Sequence, residues 1–574
     1  MESQNQSLET LEVSKKKSGR KAEIPEERII DAGNKLLESG EVVTKWKLRG
    51  VIGAGSNRMN FYTVRKATQG LANYIIKNGE EKKEKSVAIA YDSRHMSPEF
   101  SREAALVLCA NGIKTYVFES LRPTPELSFA VRELGCTAGI VITASHNPPE
   151  YNGYKVYWSD GGQVPSPRDN HIIEEVNKVD DFNNIKLMEE SEAKNKGLYN
   201  IIGKEIDDKY TQKVKEQIVN KELIKETAKD LTIVYTPLHG TGNIPVRRVL
   251  QEVGFENVVV VESQEEPDSN FSTVSYPNPE DPKAFTLAIE LAKERDADVI
   301  IGTDPDADRV GVVVKNAEGK YVVLNGNMTG VLLTEYILSQ KASKGTLPSN
   351  GAIVKTIVTT KMAEVIADEY NIKALNVLTG FKFIGEMIKK FEDEGTNEFL
   401  FGFEESYGAL AGTYARDKDA VVTSMLVCEM AAYYKAKGMT LYEGLLYLYN
   451  KYGFFMEKLH SVTLQGIEGM DKIKRILETL RQNPPSEFNG LKVLEVRDYQ
   501  ESKIKNIITG QINDINLPKS NVLYYVLEDK SWFCIRPSGT EPKIKYYFGV
   551  TSKSQEESNE KIEKLCNDVI KKTI

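Results

Sequence analysis

The sequence predicts an α/β protein with three similar α/β domains, whose mixed, largely parallel sheets surround a central cleft, and a C-terminal α+β domain. Three observations predict this fold class. One order of strands and helices occurs three times between about residues 86 and 408, an amphipathic helix lies between the first two strands of each set, and strand-rich hairpins follow residue 455. Because strands that alternate with helices form parallel, right-handed β-α-β layers, each set is expected to build one sheet.

Each of the three sets contains three apolar runs rich in β-branched residues. In chain order the runs are SVAIAYDSR, TYVFES and GIVITASHNP; LTIVYTPLHGTG, NVVVVES and ADVIIGTDPDADR; and GAIVKTIVTT, IKALNVL and EFLFGFEESYG. The intervening helix is clearest in SPEFSREAALVLCANG, because Ser97-Pro98 is a helix start and Gly112 a helix stop. The last run of each set ends in the loop with the most reactive side chains. We therefore expect these three loops to meet in the cleft.

The same pattern divides the chain into five segments. They are an atypical polar segment at residues 1–40, domain I at 41–215, domain II at 216–328, domain III at 329–455 and domain IV at 456–574. A chain of 574 residues is longer than one hydrophobic core supports, which agrees with several domains.

Composition excludes several classes of protein. Lys and Arg total 75 against 83 Asp and Glu, and the net charge of −8 argues against a nucleic-acid partner. The five cysteines are widely spaced and include no C-x-x-C pair, so reduced thiols are expected. No run approaches the ~18 apolar residues of a membrane span, and the first 21 residues lack the apolar centre of a signal peptide. We therefore expect a cytoplasmic protein without a membrane partner; the sequence does not indicate its oligomeric state.

The first loop places Ser145 directly after the strand Ile140–Ile142, at the edge where open α/β sheets bind their ligands. Pro148 and Pro149 prevent a helix from beginning at once. The nucleophile elbow of hydrolases requires G-x-S-x-G followed by a helix, and this loop has neither. A polar turn with capping side chains remains the alternative.

The second loop, DPDADR, carries three carboxylates at alternating positions after an apolar strand. In an extended loop, alternate side chains share one side, so three oxygen ligands can face one divalent cation, and Mg²⁺ is the usual ion beside a phosphate. A calcium-binding EF-hand is excluded because Arg309 and Lys315 occupy the positions of its glycine and glutamate. Arg309 would help to recruit a phosphate. A solvated acidic turn remains the alternative.

The fourth loop, RPSGTEPK at residues 536–543, combines a guanidinium, two hydroxyls, a glycine and an ammonium. Arginine matches phosphate oxygens, and hydroxyls and backbone N–H groups complete an anion site. An ordinary hairpin turn is the alternative. A serine, a magnesium site and a phosphate site together favour phosphoryl transfer, in which positioning and charge neutralisation supply most of the catalysis.

TASHNP, GTDPDADR, GFEESYG and RPSGTEPK, in this order, resemble the four signature loops of the α-D-phosphohexomutase superfamily. The similarity extends over about residues 48–574, and LRGVIGAGSNRMNFYTVRKATQGL most resembles the bacterial phosphoglucomutase/phosphomannomutase branch. The resemblance implies reversible interconversion of hexose 1-phosphate and hexose 6-phosphate through phosphoserine and a hexose 1,6-bisphosphate. Glucose is the first expectation, with glucose 1,6-bisphosphate as activator; phosphomannomutase or phosphopentomutase specificity is the alternative.

The resemblance also implies residue roles. The implied catalytic residues are Ser145, Arg49, His146, Lys155 and Lys418. The implied Mg²⁺ ligands are phosphorylated Ser145, Asp304, Asp306 and Asp308. The implied substrate-binding residues are Arg309, Thr379, Gly380, Glu404, Ser406, Arg536, Ser538, Gly539, Thr540 and Lys543. The lysines match groups for proton transfer or charge stabilisation, and a lysine that acts as a base would need a lowered pKa.

The N-terminal region departs from the family pattern. Val43–Lys47 replaces an aromatic-Gly-Thr-Ala/Gly-Gly segment, and its two lysines are expected to crowd Arg49 and weaken the activity. Residues 1 to about 25 are polar and lysine-rich and are expected to be disordered. Two rival functions remain open, a phosphatase or phosphotransferase that releases the phosphoryl group to water and a non-catalytic sugar-phosphate-binding regulator.

Overall fold

The computed structural model describes residues 49–52, 58–79, 84–464, 466–538 and 543–574, with only the backbone described at 49–51 and 466–467. The predictions for residues 1–25, for the segment 43–47 and for Gly539 and Thr540 fall outside these ranges.

The first sheet has six strands and carries the Ser145 loop. Its strands are β1 (Arg49–Val51), β2 (Ser86–Tyr91), β3 (Lys114–Phe118), β4 (Ala138–Ile142), β5 (Tyr151–Trp158) and β6 (Tyr199–Ile202). They lie in the order β1-β5-β4-β2-β3-β6, with β2, β3, β4 and β6 parallel and β5 antiparallel to its neighbours β1 and β4. The helices of this region are α1 (Phe61–Asn78), α2 (Ser97–Ala110), α3 (Thr124–Glu133), α4 (Arg168–Asn177), α5 (Glu190–Asn195) and α6 (Lys204–Lys215).

The second sheet has five strands. They are β7 (Ile233–Thr236), β8 (Val258–Val260), β9 (Val299–Thr303), β10 (Val310–Lys315) and β11 (Tyr321–Leu324), in the order β11-β10-β9-β7-β8. Strand β7 is parallel to β8 and β9, whereas β10 is antiparallel to β9 and β11. The accompanying helices are α7 (Lys221–Thr227), α8 (Asn243–Val253) and α9 (Thr286–Arg295).

The third sheet has four strands in the order β13-β12-β14-β15. They are β12 (Gly351–Thr356), β13 (Lys373–Val377), β14 (Glu398–Phe403) and β15 (Ala409–Ala411), and only β15 is antiparallel to its neighbour. The helices are α10 (Gly326–Ser343), α11 (Met362–Glu369), α12 (Phe381–Glu394), α13 (Ala420–Ala436) and α14 (Leu441–Tyr452).

The C-terminal region forms an antiparallel sheet with two helices. Its strands are β16 (Phe454–Thr463), β17 (Glu487–Phe488), β18 (Leu491–Asp498), β19 (Lys503–Asn506), β20 (Ile512–Asp514), β21 (Leu523–Leu527), β22 (Trp532–Pro537) and β23 (Lys543–Ser552). Their order is β16-β23-β22-β21-β18-β19-β20, with β17 paired to β18. The helices are α15 (Gly466–Gln482) and α16 (Gln555–Thr573). The predicted fold class is confirmed.

One feature of the sheets goes beyond the prediction. Each of the three loops is followed by an antiparallel strand, so the Ser145 loop joins β4 to β5, the aspartate loop joins β9 to β10, and the Glu404 loop joins β14 to β15. A strand that returns along its neighbour fixes both ends of the intervening turn. The loops are therefore held at both ends by ladder hydrogen bonds.

Helix α13 connects the third set to the other two. Fourteen of its 17 residues are buried, which is the pattern of a helix surrounded by protein on every side. It packs against α6, α7 and α8 and against β9 and β10. At its N-terminus the Asp419 carboxylate accepts hydrogen bonds from the N–H groups of Val421 and Val422, which fixes the neighbouring Lys418 beside the second sheet.

All five cysteines lie in the described ranges, where they are buried free thiols. None of the helices in the described part of the chain is both long enough and apolar enough to span a bilayer.

Candidate active site

Ser145 lies in the loop at residues 143–150 between β4 and β5, with a left-handed φ of +53° and little exposure. Its hydroxyl donates a 2.8 Å hydrogen bond to Oδ2 of Asp304, which comes from the second sheet. Its Oγ also lies 3.2 Å from Nδ1 of His146, and its backbone N–H donates to Oγ1 of Thr143 at 2.8 Å. The structure therefore brings the first two loops into direct contact through the serine oxygen.

The three aspartates of the second loop are fully buried, and one carboxylate oxygen from each lies within 4.8 Å of the others. Oδ1 of Asp304 accepts the backbone N–H groups of Asp308 and Arg309, both at 3.0 Å, which turns the loop back on itself. Among the described residues, no hydrogen-bond partner reaches Oδ1 of Asp306 or Oδ1 of Asp308. Buried, unpartnered carboxylate oxygens at this spacing suit a divalent cation with oxygen ligands.

Two lysines, one on strand β5 and one between β15 and α13, face the aspartates. Nζ of Lys155, on β5, lies 2.7 Å from Oδ2 of Asp306 and 3.4 Å from Oδ2 of Asp308. Nζ of Lys418, before α13, lies 2.9 Å from Oδ2 of Asp308 and 3.1 Å from Oδ1 of Asp417. The cluster thus gathers charged groups from strand β5, from the loop after β9 and from the segment before α13.

The proximity of these charges shifts their protonation equilibria. Burial raises the pKa of Asp304 well above its ordinary value, and the carboxylates of Asp306 and Asp308 raise it further. Burial alone would also raise the pKa of Asp306, but the ammonium of Lys155 holds it below its ordinary value.

The lysines are stabilised in their charged form. Burial alone would lower the pKa of Lys155, but the charges of Asp306 and Asp308 raise it. Burial alone would likewise lower the pKa of Lys418, but the charges of Asp308 and Asp417 raise it. A base would need the opposite shift, so in this arrangement the lysines suit charge stabilisation, one of the two roles considered from the sequence.

Arg309 points from the aspartate loop to an ion pair with Glu280 and lies 3.8 Å from Oδ1 of Asp308. Sequence reasoning missed Glu280, which lies in the polar, proline-rich segment YPNPEDP and had no pattern to mark it.

The third loop places Glu404 close to these charges. Its Oε1 accepts the backbone N–H of Gly380 at 2.9 Å, and Gly380 has a φ of +122°, in the region that favours glycine. Burial raises the pKa of Glu404 to about 7; Glu405 also raises it, and Lys418 and Arg309 oppose the rise.

Two other predicted sugar-binding groups lie beside Glu404. The buried hydroxyl of Thr379, adjacent to Gly380, has no hydrogen-bond partner among the described residues. Ser406, in the same turn as Glu404, is half-buried. The structure therefore groups the predicted sugar-binding residues of the third domain.

Three of the predicted phosphate-binding residues, Arg536, Ser538 and Lys543, lie where β22 ends and β23 begins. The backbone N–H of Ser538 donates to the carbonyl of Lys543 at 2.6 Å, and Arg536 lies directly opposite Lys545 across the two strands. Burial lowers the pKa of Lys545, and the Arg536 guanidinium lowers it further. Like charges opposite each other are destabilising unless an anion lies between them, so Lys545 joins the candidate phosphate site. The alternation Lys543-Ile544-Lys545 was the missed sequence signal.

The fourth loop also faces the third. Burial raises the pKa of the Glu405 carboxyl, and the Arg536 guanidinium opposes this rise. The Glu405 carboxylate in turn opposes the lowering of the Lys545 pKa. For Arg49 only the backbone is described, and it pairs with Gly153, two residues before Lys155 on β5. The remaining predicted residues, Gly539 and Thr540, lie outside the described chain.

The chain matches family models over most of its length. The matches are to Phosphoglucomutase/phosphomannomutase, alpha/beta/alpha domain I at residues 43–183, domain II at 208–319, domain III at 325–452 and the C-terminal domain at 486–563.

Curated relatives and solved structures agree with these matches. The chain is 39% identical over 515 residues to a phosphoglucomutase of Staphylococcus aureus, covering 90% of each chain, and 39% identical over 504 residues to one of Staphylococcus epidermidis, covering 88% and 89%. Its fold is similar to the phosphoglucomutase parafusin of Paramecium, with a TM-score of 0.67, 20% identity and coverage of 92% and 93%. It is also similar to a phosphoglucomutase/phosphomannomutase family protein of Burkholderia thailandensis, with a TM-score of 0.63, 19% identity and coverage of 92% and 95%. These two structures bear on the fold alone.

Proposed function

Because the chain belongs to the phosphoglucomutase/phosphomannomutase family, we propose that it is a phosphoglucomutase that interconverts glucose 1-phosphate and glucose 6-phosphate through phosphoserine at Ser145. One observation carries the proposal: the Ser145 hydroxyl lies 2.8 Å from Asp304 within a buried cluster of three carboxylates and two lysines. The names of the relatives at 39% identity support glucose as the sugar. The sequence-based prediction of the family is confirmed.

The aspartate cluster supports Mg²⁺ as the metal. Asp304, Asp306 and Asp308 supply buried carboxylate oxygens, two of which have no partner among the described residues, and phosphorylated Ser145 would add a phosphate oxygen. When bound, Mg²⁺ withdraws negative charge from the phosphoryl oxygens during transfer.

In the proposed reaction the chain positions the groups and neutralises charge. The phosphoryl group leaves Oγ of Ser145 and bonds to the free hydroxyl oxygen of the sugar monophosphate. That hydroxyl loses its proton and Oγ of Ser145 takes one up, which leaves glucose 1,6-bisphosphate and a free serine hydroxyl. After the bisphosphate turns round, its other phosphoryl group returns to Ser145. Lys155 and Lys418 lie where cationic side chains stabilise the charge of the transferring group, and the hydrogen bond to Asp304 orients the serine hydroxyl for the return step. Arg49 and His146 would line the phosphoserine.

The other two loops would hold the parts of the substrate that do not react. Glu404 and Ser406, with Thr379 and Gly380, would bind sugar hydroxyls. The phosphate that is not reacting would be bound by Arg309 and by the fourth loop, whose candidate residues are Arg536, Ser538, Gly539, Thr540, Lys543 and Lys545. Glucose 1,6-bisphosphate would act as activator because it loads Ser145. We also keep the domain boundaries at residues 215, 328 and 455 as proposals. They are supported by the first three sheets, each of which is built from strands within one segment, whereas the fourth sheet begins with β16 at Phe454, just before the last boundary.

A coupled assay tests this function. Glucose, mannose, glucosamine and ribose 1-phosphates are compared with and without glucose 1,6-bisphosphate, and inorganic phosphate is measured in the same samples. We expect glucose 1-phosphate to give the highest kcat/KM and little inorganic phosphate to be released. Stoichiometric release of phosphate would identify a phosphatase instead, and a higher kcat/KM for mannose 1-phosphate would assign the chain to phosphomannomutase specificity.

A further inference from the structure

Arg94 lies beneath the Ser145 turn and contacts it at four points. Its Nη1 donates hydrogen bonds to the carbonyls of Pro148 and Tyr151 at 2.8 and 3.0 Å, and its Nη2 donates to the carbonyls of Ser145 and Asn147. The side chain is fully buried. A single buried guanidinium thus donates hydrogen bonds to four carbonyls of the turn that carries the proposed nucleophile.

The turn itself supplies few donors for these carbonyls: among the described residues, only the Pro148 carbonyl accepts a backbone N–H, from Tyr151 at 3.1 Å. Pro148 and Pro149 have no N–H groups, and the ladder between β4 and β5 ends at Ile142, before Ser145. A guanidinium carries five N–H donors in a planar fork, whereas an ammonium carries three on one atom. The geometry of the turn is therefore matched to arginine.

A second set of bonds returns from Arg94 to the serine. Nε of Arg94 lies 3.2 Å from Oδ2 of Asp92, which neutralises the buried charge. The same Oδ2 accepts a 2.6 Å hydrogen bond from Oγ1 of Thr143, and that oxygen accepts the backbone N–H of Ser145. Arg94 and Asp92 together fix both the N–H and the C=O of Ser145.

The second domain covers Arg94 with an aromatic ring. The ring of Phe271 is fully buried and its centre lies 5.0 Å from the guanidinium carbon. Phe271 has a left-handed φ of +48°, and Asp268 stabilises its loop by accepting the N–H groups of Asn270 and Ser272.

Two further hydrogen bonds join this loop to the segment around Arg94. Oγ of Ser269 donates to the carbonyl of Ser93 at 2.8 Å, and Asn270 Oδ1 lies 2.8 Å from Nε2 of His95. The domain that carries the aspartates is thus attached to the first domain directly beside the Ser145 turn.

We infer that Arg94 is a positioning residue which, with Phe271 packed on it, holds the Ser145 turn so that the serine oxygen faces Asp304. The inference rests on the proposed function for its effect on catalysis, but its effect on the turn does not depend on that function. Within the described part of the chain, Arg94 makes no hydrogen bond or ion pair to the Ser145 hydroxyl or to the three aspartates of the DPDADR loop, so it acts through the backbone. Because a misplacement of about 1 Å can cost about 100-fold in rate, loss of this support should lower kcat more than it changes KM.

The test compares Arg94→Lys with Arg65→Lys. Arg65 pairs with Glu103 at 2.6 Å in the same domain and contacts no predicted site residue, so it is a matched control. We expect Arg94→Lys to keep the charge that balances Asp92 and to remain folded by circular dichroism. Its kcat should fall about 100-fold while KM for glucose 1-phosphate changes less than about threefold. Arg65→Lys should leave both constants within about twofold of wild type.

Hydrogen exchange separates this inference from the proposed function. Amides of residues 144–152 should exchange about tenfold faster in Arg94→Lys than in wild type and at the wild-type rate in Arg65→Lys. That result supports the positioning role even if wild type shows no mutase activity, which would refute only the proposed function. Unchanged exchange in the turn, or a kcat within threefold of an active wild type, overturns the inference.

A second variant tests the aromatic cover without removing the guanidinium. Phe271→Leu removes the ring contact, and we expect it to lower kcat about tenfold and to raise exchange in residues 144–152. If exchange in that turn is unchanged while Arg94→Lys raises it, the part of the inference that assigns Phe271 is wrong.

Discussion

Replacement of Lys155 by methionine should weaken the folded protein far more without Mg²⁺ than with it. Lys155 pairs at 2.7 Å with Asp306, whose side chain is fully buried. When one partner of a buried ion pair is removed, the remaining charge is uncompensated, which costs about 3–5 kcal/mol. Since the lysine side chain is 19% exposed, we expect the lower end, about 3 kcal/mol of unfolding free energy.

Magnesium should return most of that loss. A ligand at 100 times its Kd stabilises the folded state by about 2.7 kcal/mol, and a divalent cation replaces the charge that Lys155 supplied. In wild type the ion has to compete with Lys155 for Asp306, so the variant should also bind Mg²⁺ more tightly although it turns over more slowly. Binding and activity should therefore change in opposite directions.

Urea unfolding in EDTA and in excess Mg²⁺ measures both effects. Lys178→Met is the matched control, because Lys178 pairs with Glu175 at 2.7 Å but is 61% exposed, and exposed pairs contribute about 0–1 kcal/mol. If the two variants lose equal stability in EDTA, or if Mg²⁺ leaves the gap between them unchanged, Lys155 does not stand in for a cation at the aspartates.

Three other changes test the remaining parts of the site. Ser145→Ala should abolish phosphorylation of the protein in peptide mapping and lower mutase turnover by orders of magnitude, since no other group replaces the nucleophile; near-normal turnover would contradict the assignment. Arg536→Ala should mainly raise KM for the sugar phosphate in steady-state kinetics, and an unchanged KM would indicate a simple hairpin. The pKa of Glu404, about 7, lies above its unfolded value, so the folded state binds the extra proton and loses this advantage as pH rises from about 4.5 to 7. The free energy of unfolding of Glu404→Gln, measured in urea relative to wild type, should therefore be more favourable at pH 8 than at pH 5. An equal difference between the two proteins at both pH values would refute the shift.

The sheets were accessible to sequence reasoning because their inner strands are continuous apolar runs. Ile140–Ile142 and Val299–Ile301 each precede a loop with polar side chains, so both the strand and the position of the loop at its end could be predicted. The returning strand β5 was not predicted, because YNGYKVYW mixes polar and aromatic residues. Its pairing with β4 depends on neighbours that are distant in the sequence.

The candidate site divides in the same way. The aspartates could be identified because three carboxylates alternate within five residues, which few structural turns require. Arg94 and Glu280 could not, because each is a single charged residue in an ordinary polar setting whose role depends on what lies across the fold. Lys545 was overlooked although it alternates with Lys543. The shift in pKa of Lys155 was equally hidden, since its cause is the pair of carboxylates on another sheet.

The contact between Ser145 and Asp304 has a consequence for the synthesis of the protein. The two residues lie 159 positions apart, and Lys418 follows later still. On the ribosome, the serine emerges long before Asp304, which accepts its hydrogen bond, and before the lysine proposed to neutralise its phosphate. A nascent or truncated chain that ends before Lys418 therefore carries the nucleophile without its electrostatic surroundings, and turnover should begin only when the third domain has been made. The site is therefore completed only as synthesis of the polypeptide proceeds, and incomplete products should show no mutase turnover.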